Sequence, residues 1–210
     1  MRDLLPAAEG SQDLTVMFGG TFDPVHTGHV TAVKNILKTV PDIRRFIIMP
    51  AFVNPFKVHS TQRASAEQRL EMCRIAYAGL EKCVISDMEI KAGGVSYTIN
   101  TLERIRAQYP YDRLAIALGG DTLKDMPTWY RSQDIIDMCS IFAVRRVRRS
   151  RINEYADNIR AMGGTVNIID CDPFEISSTE LRKRFSEGRD VSGYIPPEVV
   201  EYIRENNIYG

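Results

Sequence analysis

Short apolar runs alternate along this chain with longer segments whose apolar residues recur at helical spacing. The runs are continuous, which is typical of strands buried on both faces of a sheet. They cover residues 14–18, 46–49, 83–86, 114–118, 140–144 and 166–169. Helical spacing occurs in residues 30–40, 66–80, 98–108, 132–138, 152–162, 179–186 and 197–206. The pattern therefore predicts strands separated by helices.

Strands that alternate with helices indicate βαβ units, which build a parallel sheet with helices on both faces. We therefore predict an α/β fold with a doubly wound, Rossmann-like sheet. Residues 14–210 contain no linker rich in glycine, serine or proline and are predicted to form a single domain. Residues 1–13 are polar, lack the apolar core of a secretory signal, and are predicted to be a disordered extension. Ligands bind such sheets at the carboxyl ends of the strands.

The composition argues against several classes of function. The 210 residues carry 27 basic and 27 acidic side chains, and this balance argues against nucleic acid as the main partner. No apolar run is long enough to span a membrane. The cysteines lack a CxxC pair and are expected to be reduced thiols, which predicts a cytoplasmic protein. They are Cys73, Cys83, Cys139 and Cys171. The sequence does not decide whether the protein forms a homo-oligomer.

Two of the three histidines lie in one short segment, residues 19–29, which reads GGTFDPVHTGH. It joins a predicted strand to a predicted helix, whose first N–H groups and dipole favour anions. Gly19 and Gly20 let a ligand approach the backbone closely, and His26 and His29 are spaced to share one helical face. Two imidazoles beside a helix N-terminus that favours anions indicate polyphosphate chemistry.

Other interpretations of this segment are weaker. A tight turn with two surface histidines would explain the glycines but not the whole pattern. No further cysteine or histidine has the spacing of a zinc ligand. The segment also lacks the lysine of a GxxxxGK[ST] loop and the spacing of GxGxxG.

A second candidate segment, residues 176–182, reads ISSTELR and follows the last predicted strand. Ser177 and Glu180 have the spacing of a capping box, which predicts a helix start. Taken alone, the segment is most simply a helix cap. Its hydroxyl and N–H groups, with the guanidinium fork of Arg182, would also suit phosphate oxygens.

Together these two segments resemble the paired signature of the nucleotidyltransferase superfamily. Two middle segments, residues 95–102 and 118–130, are similar to those of bacterial nicotinate-nucleotide adenylyltransferases, through VSYT with TL and LGGDTL with PTWY. The resemblance covers nearly everything from Leu14 to the C-terminus. It implies a sheet of nucleotidyltransferase type and transfer of AMP from ATP to nicotinate mononucleotide, releasing pyrophosphate in NAD biosynthesis. It also implies Mg²⁺, held mainly by the ATP phosphates.

The resemblance also implies roles for residues that match its motifs. The catalytic residues would be His26, His29 and Arg182. The ATP-binding residues would be Gly19, Gly20, Thr21, Lys57, Asp121, Ser177 and Ser178. The pyridine mononucleotide would contact Tyr97, Thr98, Trp129 and Tyr130. Phe56 departs from the pattern, because many members have a histidine just before the lysine.

The pyridine pocket is expected to offer only N–H donors near Thr98 and Tyr130, which favours a carboxylate over an amide. A nucleotide 5′-phosphate needs no general base near neutral pH. Catalysis should therefore rest on positioning and on imidazolium donors that follow the growing negative charge.

Several alternatives stay open at this point. The acceptor could be nicotinamide mononucleotide or phosphopantetheine, or the chain could be a non-catalytic nucleotide sensor. An RNA-binding module is weaker still, since no aromatic residues interleave the basic run at residues 145–151. That run and His59 are expected to be solvated, although the run follows a strand end and would also suit a phosphate.

Overall fold

The computed structural model describes residues 13–57, 63–146, 151–171 and 176–210. Its centre is a six-stranded parallel sheet with the strand order β3-β2-β1-β4-β5-β6. The strands are β1 (Leu14–Gly20), β2 (Ile43–Pro50), β3 (Cys83–Ile85), β4 (Arg113–Gly119), β5 (Ser140–Arg145) and β6 (Val166–Asp170). The doubly wound α/β fold predicted from the apolar pattern is confirmed.

Helices connect the strands and cover both faces of the sheet. They are α1 (Thr27–Thr39), α2 (Ala66–Tyr77), α3 (Met88–Ala92), α4 (Thr98–Gln108), α5 (Gly120–Asp125), α6 (Ser132–Met138), α7 (Ile152–Ala161), α8 (Ser178–Ser186) and α9 (Pro197–Glu205). Short 3₁₀ turns occur at Pro55–Lys57 and Met126–Thr128. Among the residues that the structure describes, no helix is long and apolar enough to cross a membrane.

Each face of the sheet has its own apolar core. On one side, α1, α2 and α9 contribute residues such as Ile36, Met72 and Ile203. On the other, α4, α6 and α7 contribute residues such as Leu102 and Ile159. The strands supply apolar side chains to both cores, which explains why their sequences are continuous apolar runs.

The point where the strand order reverses lies beside β1. Its pairing with β2 continues to Gly20 opposite Pro50, whereas its pairing with β4 ends at Met17 opposite Ile116. Beyond Met17 the strands β1 and β4 therefore separate and leave a crevice at their carboxyl ends. In doubly wound sheets this is where ligands bind.

Candidate active site

The segment that joins β1 to α1 carries both histidines at the sheet's reversal point. His26 is the N-cap of α1, in extended conformation, and its side chain is buried at 2% exposure. His29 lies one turn further along and is partly buried. The two imidazole rings stack with centroids 3.6 Å apart. The predicted sharing of one helical face is therefore what the structure shows.

His26 is kept neutral by its surroundings. Burial, and then the nearby Arg146 guanidinium, lower its pKa from about 6.5 to about 3. The imidazolium donor that is expected to follow the negative charge during the reaction stays a prediction. A polyphosphate beside the ring would act in the opposite direction, because a nearby anion favours the charged imidazole.

The two glycines of the loop serve different purposes. A Cβ at Gly19 would meet nothing within 4 Å, so this position is open to a ligand. A Cβ at Gly20 would lie 2.9 Å from the ring of Phe22, whose backbone is left-handed with φ of 50°. Gly20 therefore lets Phe22 fold back onto the loop. Thr21 follows them, buried at 9% exposure.

The carboxylate of Asp23 fixes the middle of this loop. It is buried at 3% exposure and accepts hydrogen bonds from the main-chain N–H groups of Arg63 and Ala64, each at 3.2 Å. It also accepts one from the Tyr209 hydroxyl at 2.6 Å. Arg182 adds an ion pair at 3.9 Å. These contacts make Asp23 a structural anchor.

Arg69 on α2 holds the same loop through its guanidinium group. Its guanidinium is fully buried and donates to the main-chain carbonyls of Thr21 at 2.8 Å, Ala51 at 2.6 Å and Phe52 at 3.2 Å. It thereby ties the loop after β1 to the loop after β2. Its pKa is lowered by burial, while Asp23 opposes that shift. The sequence analysis missed Arg69, which stands in an ordinary helical segment.

The second motif begins α8, one residue before the predicted start. Ser177 is the N-cap, and its hydroxyl accepts the N–H of Glu180 at 3.2 Å, as the capping-box spacing predicts. The Ser178 hydroxyl donates to the Pro24 carbonyl at 3.0 Å. Arg182 donates to the Asp23 carbonyl at 2.7 Å and to the Thr179 hydroxyl at 3.2 Å. The two motifs are therefore bonded directly to each other.

A cleft lies beside α8, and we call it the basic cleft. It has a volume of about 380 Å³ and is lined by Arg63, Thr179, Arg182, Lys183 and Ser186. Three cationic side chains and two hydroxyl groups make it suitable for phosphate oxygens. Arg63 and Lys183 were not among the predicted site residues, because neither belongs to a motif.

A second cavity opens at the crevice between β1 and β4, and we call it the aromatic cavity. It has a volume of about 130 Å³, and Gly19 and Gly20 form part of its wall. All four residues predicted to contact the pyridine nucleotide line it, namely Tyr97, Thr98, Trp129 and Tyr130, together with Phe56. The Tyr97 and Tyr130 rings are 4.9 Å apart, and those of Phe56 and Trp129 are 6.3 Å apart.

The aromatic cavity also contains an acceptor that the sequence analysis did not expect. Glu89 on α3 lines it, is buried at 7% exposure, and accepts the Thr101 hydroxyl at 2.6 Å. Burial raises its pKa, while the hydroxyl groups of Thr101 and Ser96 oppose that shift. Thr98 is the first residue of α4 and lines the cavity, and the N–H donors expected near it stay a prediction. The pocket is nevertheless not made of donors alone.

Arg146 is a further site residue that the sequence analysis treated only as part of a basic run. It follows β5, reaches within 3.8 Å of the Asp121 carboxylate, and is close enough to His26 to lower the pKa of that imidazole. Arg145 pairs instead with Asp170 at 3.0 Å. Residues 147–150 of the run lie outside the described residues.

Of the remaining predicted residues, Asp121 lines neither cavity, and the roles of Asp121 and Lys57 stay predictions. The Asp121 side chain is 98% exposed, at the start of α5. Lys57 ends a 3₁₀ turn, but its side chain lies outside the described part of the chain, as does His59. All four cysteines are free thiols, as expected.

Comparisons with known proteins support the resemblance seen in the sequence. A family model described as cytidylyltransferase-like matches residues 17–184. A protein of Thermotoga sp. strain RQ2 named "probable nicotinate-nucleotide adenylyltransferase" is 34% identical over 89% of this chain and 93% of its own length. One of the same name from Pectobacterium atrosepticum is 31% identical over 93% and 98%.

The chain belongs to the nicotinate-nucleotide adenylyltransferase family. A solved structure has the same fold as this chain. The nicotinic acid mononucleotide adenylyltransferase of Plasmodium falciparum, complexed with NaAD, superposes with a TM-score of 0.78 at 20% identity. That alignment covers 94% of this chain and 97% of the Plasmodium chain. This chain and the Plasmodium protein therefore share their fold.

Proposed function

We propose that this chain transfers the adenylyl group of ATP to nicotinate mononucleotide, giving nicotinate adenine dinucleotide and pyrophosphate. One observation carries the proposal: the loop at residues 19–29 lines the aromatic cavity and is hydrogen-bonded to a residue that lines the basic cleft. Gly19 and Gly20 line the cavity, while Arg182, which lines the cleft, donates to the Asp23 carbonyl. A pyridine ring on one side and a triphosphate on the other would meet at this loop. The family membership supports the same reaction.

The reaction requires two anions to approach each other. A phosphate oxygen of the mononucleotide attacks the α-phosphorus of ATP, and the bond from that phosphorus to the β-phosphate bridging oxygen breaks as pyrophosphate leaves. The attacking phosphate is already ionised, so the protein need not remove a proton. We propose that the two histidines and Arg182 hold phosphate oxygens and stabilise the charge that moves onto pyrophosphate.

Mg²⁺ fits this site as an ion carried by the nucleotide. The side chains beside the loop are imidazoles and guanidinium groups, which suit phosphate oxygens, whereas Mg²⁺ prefers oxygen ligands. The Asp23 carboxylate is already engaged by Tyr209, Arg63 and Ala64. We therefore propose that ATP phosphates and water hold Mg²⁺, which supplies charge neutralisation on the phosphates. Free thiols at all four cysteines support a proposed cytoplasmic location.

Nicotinamide mononucleotide is the second candidate acceptor, and Glu89 is the observation that favours it. The NH₂ group of an amide could donate to a carboxyl oxygen in the aromatic cavity, whereas a nicotinate carboxylate could not. Against this, Glu89 already accepts the Thr101 hydroxyl, and the N–H groups at the start of α4 favour an acid.

The proposed function is tested by product analysis. The protein is incubated with ATP, Mg²⁺ and nicotinate mononucleotide, and the dinucleotide and pyrophosphate are measured together. We expect the two products in equal amounts. Parallel reactions contain phosphopantetheine as the acceptor. Absence of the dinucleotide with nicotinate mononucleotide, or faster turnover with phosphopantetheine, would overturn the proposal.

A further inference from the structure

The C-terminal end of the chain reaches the phosphate-binding loop. After α9 the backbone turns sharply, with positive φ at Asn207 and Tyr209, and the N–H of Ile208 donates back to the Ile203 carbonyl at 3.0 Å. Tyr209 is only 4% exposed although it is the penultimate residue. A bulky side chain at φ of 72° is uncommon and persists where its surroundings determine the conformation.

Tyr209 contacts the loop that carries the first motif and the helix α8 that carries the second. Its hydroxyl donates to a carboxylate oxygen of Asp23 at 2.6 Å, across 186 residues of sequence. Its ring lies 5.7 Å from the ring of Phe185 on α8. Burial and the adjacent carboxylate raise the pKa of Tyr209 well above its usual range, so its hydroxyl keeps its proton and remains a donor.

Asp23 and its neighbour Pro24 are also bonded to α8, which carries residues proposed to touch ATP. Its carbonyl accepts from Arg182, and its carboxylate forms an ion pair with the same guanidinium at 3.9 Å. The next carbonyl, that of Pro24, accepts from Ser178. His26 follows two residues later. Asp23 is therefore bonded both to Tyr209 and to Arg182 on α8.

We infer that Tyr209 is a positioning residue for adenylyl transfer, which holds Asp23 and thereby the spacing between the histidine loop and Arg182. The inference rests on the proposed function. Tyr209 touches no substrate in this account and lines neither the aromatic cavity nor the basic cleft. Its effect should accordingly appear in turnover and in ATP binding, and not in the affinity for the pyridine nucleotide.

Tyr209→Phe tests this inference, because it removes the hydroxyl and keeps the ring that packs on Phe185. Tyr202→Phe is the matched control, since Tyr202 is a partly buried tyrosine of α9 next to the same core. We expect Tyr209→Phe to lower kcat by about 10- to 100-fold, the scale of a small misplacement of catalytic groups. The KM for nicotinate mononucleotide should stay within about twofold. Tyr202→Phe should match the wild type.

Binding of a non-hydrolysable ATP analogue, measured by calorimetry, separates this inference from the proposed function. We expect Tyr209→Phe to bind the analogue about fivefold or more weakly than the wild type, since one contact to a charged group has been lost. Inactivity of the wild type with nicotinate mononucleotide would overturn the function but not this binding difference. Equal analogue binding, or kcat equal to that of Tyr202→Phe, would overturn the inference.

Thermal unfolding of the three proteins completes the test. The Tyr209→Phe variant should unfold cooperatively, with a Tm lowered by about 10 °C or less, because the other Asp23 contacts remain. Loss of a cooperative transition in Tyr209→Phe would assign the hydroxyl to folding rather than to positioning, and it would also overturn the inference.

Discussion

The main-chain N–H of His26 donates to Nδ1 of His29 over 3.2 Å. Because Nδ1 accepts this hydrogen bond, a neutral His29 must carry its own hydrogen on Nε2. His29 can therefore donate a hydrogen bond while uncharged. The loop therefore favours a neutral tautomer of His29 whose Nε2 hydrogen can be donated to a phosphate oxygen.

His29→Ala should lower kcat by about 10²-fold or more, the scale of losing one preorganised donor. The affinity for ATP should change less, because the remaining donors still hold the ground-state phosphates. Steady-state kinetics with calorimetry measure both quantities. Lys34→Ala, at an exposed position of the same helix, is the control and should keep wild-type turnover. Turnover of His29→Ala near that of this control would remove the role proposed for His29.

His26 should make the folded state sensitive to acid. Its pKa is about 3 when folded and about 6.5 when unfolded, so the native state binds fewer protons between these values. The contribution of His26 to stability is therefore complete above about pH 6.5 and falls as the pH is lowered toward 3. The loss amounts to about 1.4 kcal/mol per pH unit, or about 2 kcal/mol by pH 5.

Denaturant unfolding of the wild type and of His26→Gln at pH 7.5 and pH 5 checks this expectation. Other groups titrate alike in both proteins, so the difference between them isolates His26. The wild type should lose about 2 kcal/mol more on acidification than the variant. An equal loss in the two proteins would mean that His26 is not held neutral by the fold.

Arg182 should require its guanidinium geometry. It donates to the Asp23 carbonyl and to the Thr179 hydroxyl with different nitrogens while it lines the basic cleft. A lysine offers a point charge without this fork, so Arg182→Lys should not restore full activity or ATP affinity. Calorimetry with ATP compares the wild type, Arg182→Ala, Arg182→Lys and the exposed control Arg74→Ala. Equal affinity in all four proteins would refute contact between Arg182 and the phosphates.

The sequence predicted the strands well and the anchors of the site poorly. Continuous apolar runs marked every strand of the sheet, because both faces of each strand are covered. The helices α3 and α5 were missed, since five and six residues are too few to show helical periodicity. Glu89 was missed together with α3, on which it lies.

The anchors of the loop were missed for another reason. Arg69 acts through main-chain carbonyls of three other segments, and these come together only in the folded chain. The hydrogen bond of Tyr209 to Asp23 likewise spans 186 residues. By contrast, Tyr97, Thr98, Trp129 and Tyr130 of the aromatic cavity were predicted from the sequence, because the resemblance rests on the local motifs that contain them.

Trp129→Ala should weaken the binding of both pyridine mononucleotides by a similar factor. Trp129 lines the aromatic cavity and offers a ring face, which does not distinguish an acid from an amide. The kcat/KM values for both nucleotides should therefore fall, while their ratio stays within about threefold of the wild-type ratio. A large change in that ratio would show that Trp129 contacts the carboxylate or amide group itself.

The preference for nicotinate over nicotinamide mononucleotide tests the central claim most directly. The N–H groups at the start of α4 are donors that a carboxylate satisfies, whereas the NH₂ group of an amide would face them donor to donor. The measurement is the kcat/KM for pyrophosphate release with each mononucleotide at the same ATP concentration. Our account predicts a ratio of about 10²-fold or more in favour of nicotinate mononucleotide. Comparable values, or a preference for the amide, would contradict it and assign the decisive contact to Glu89.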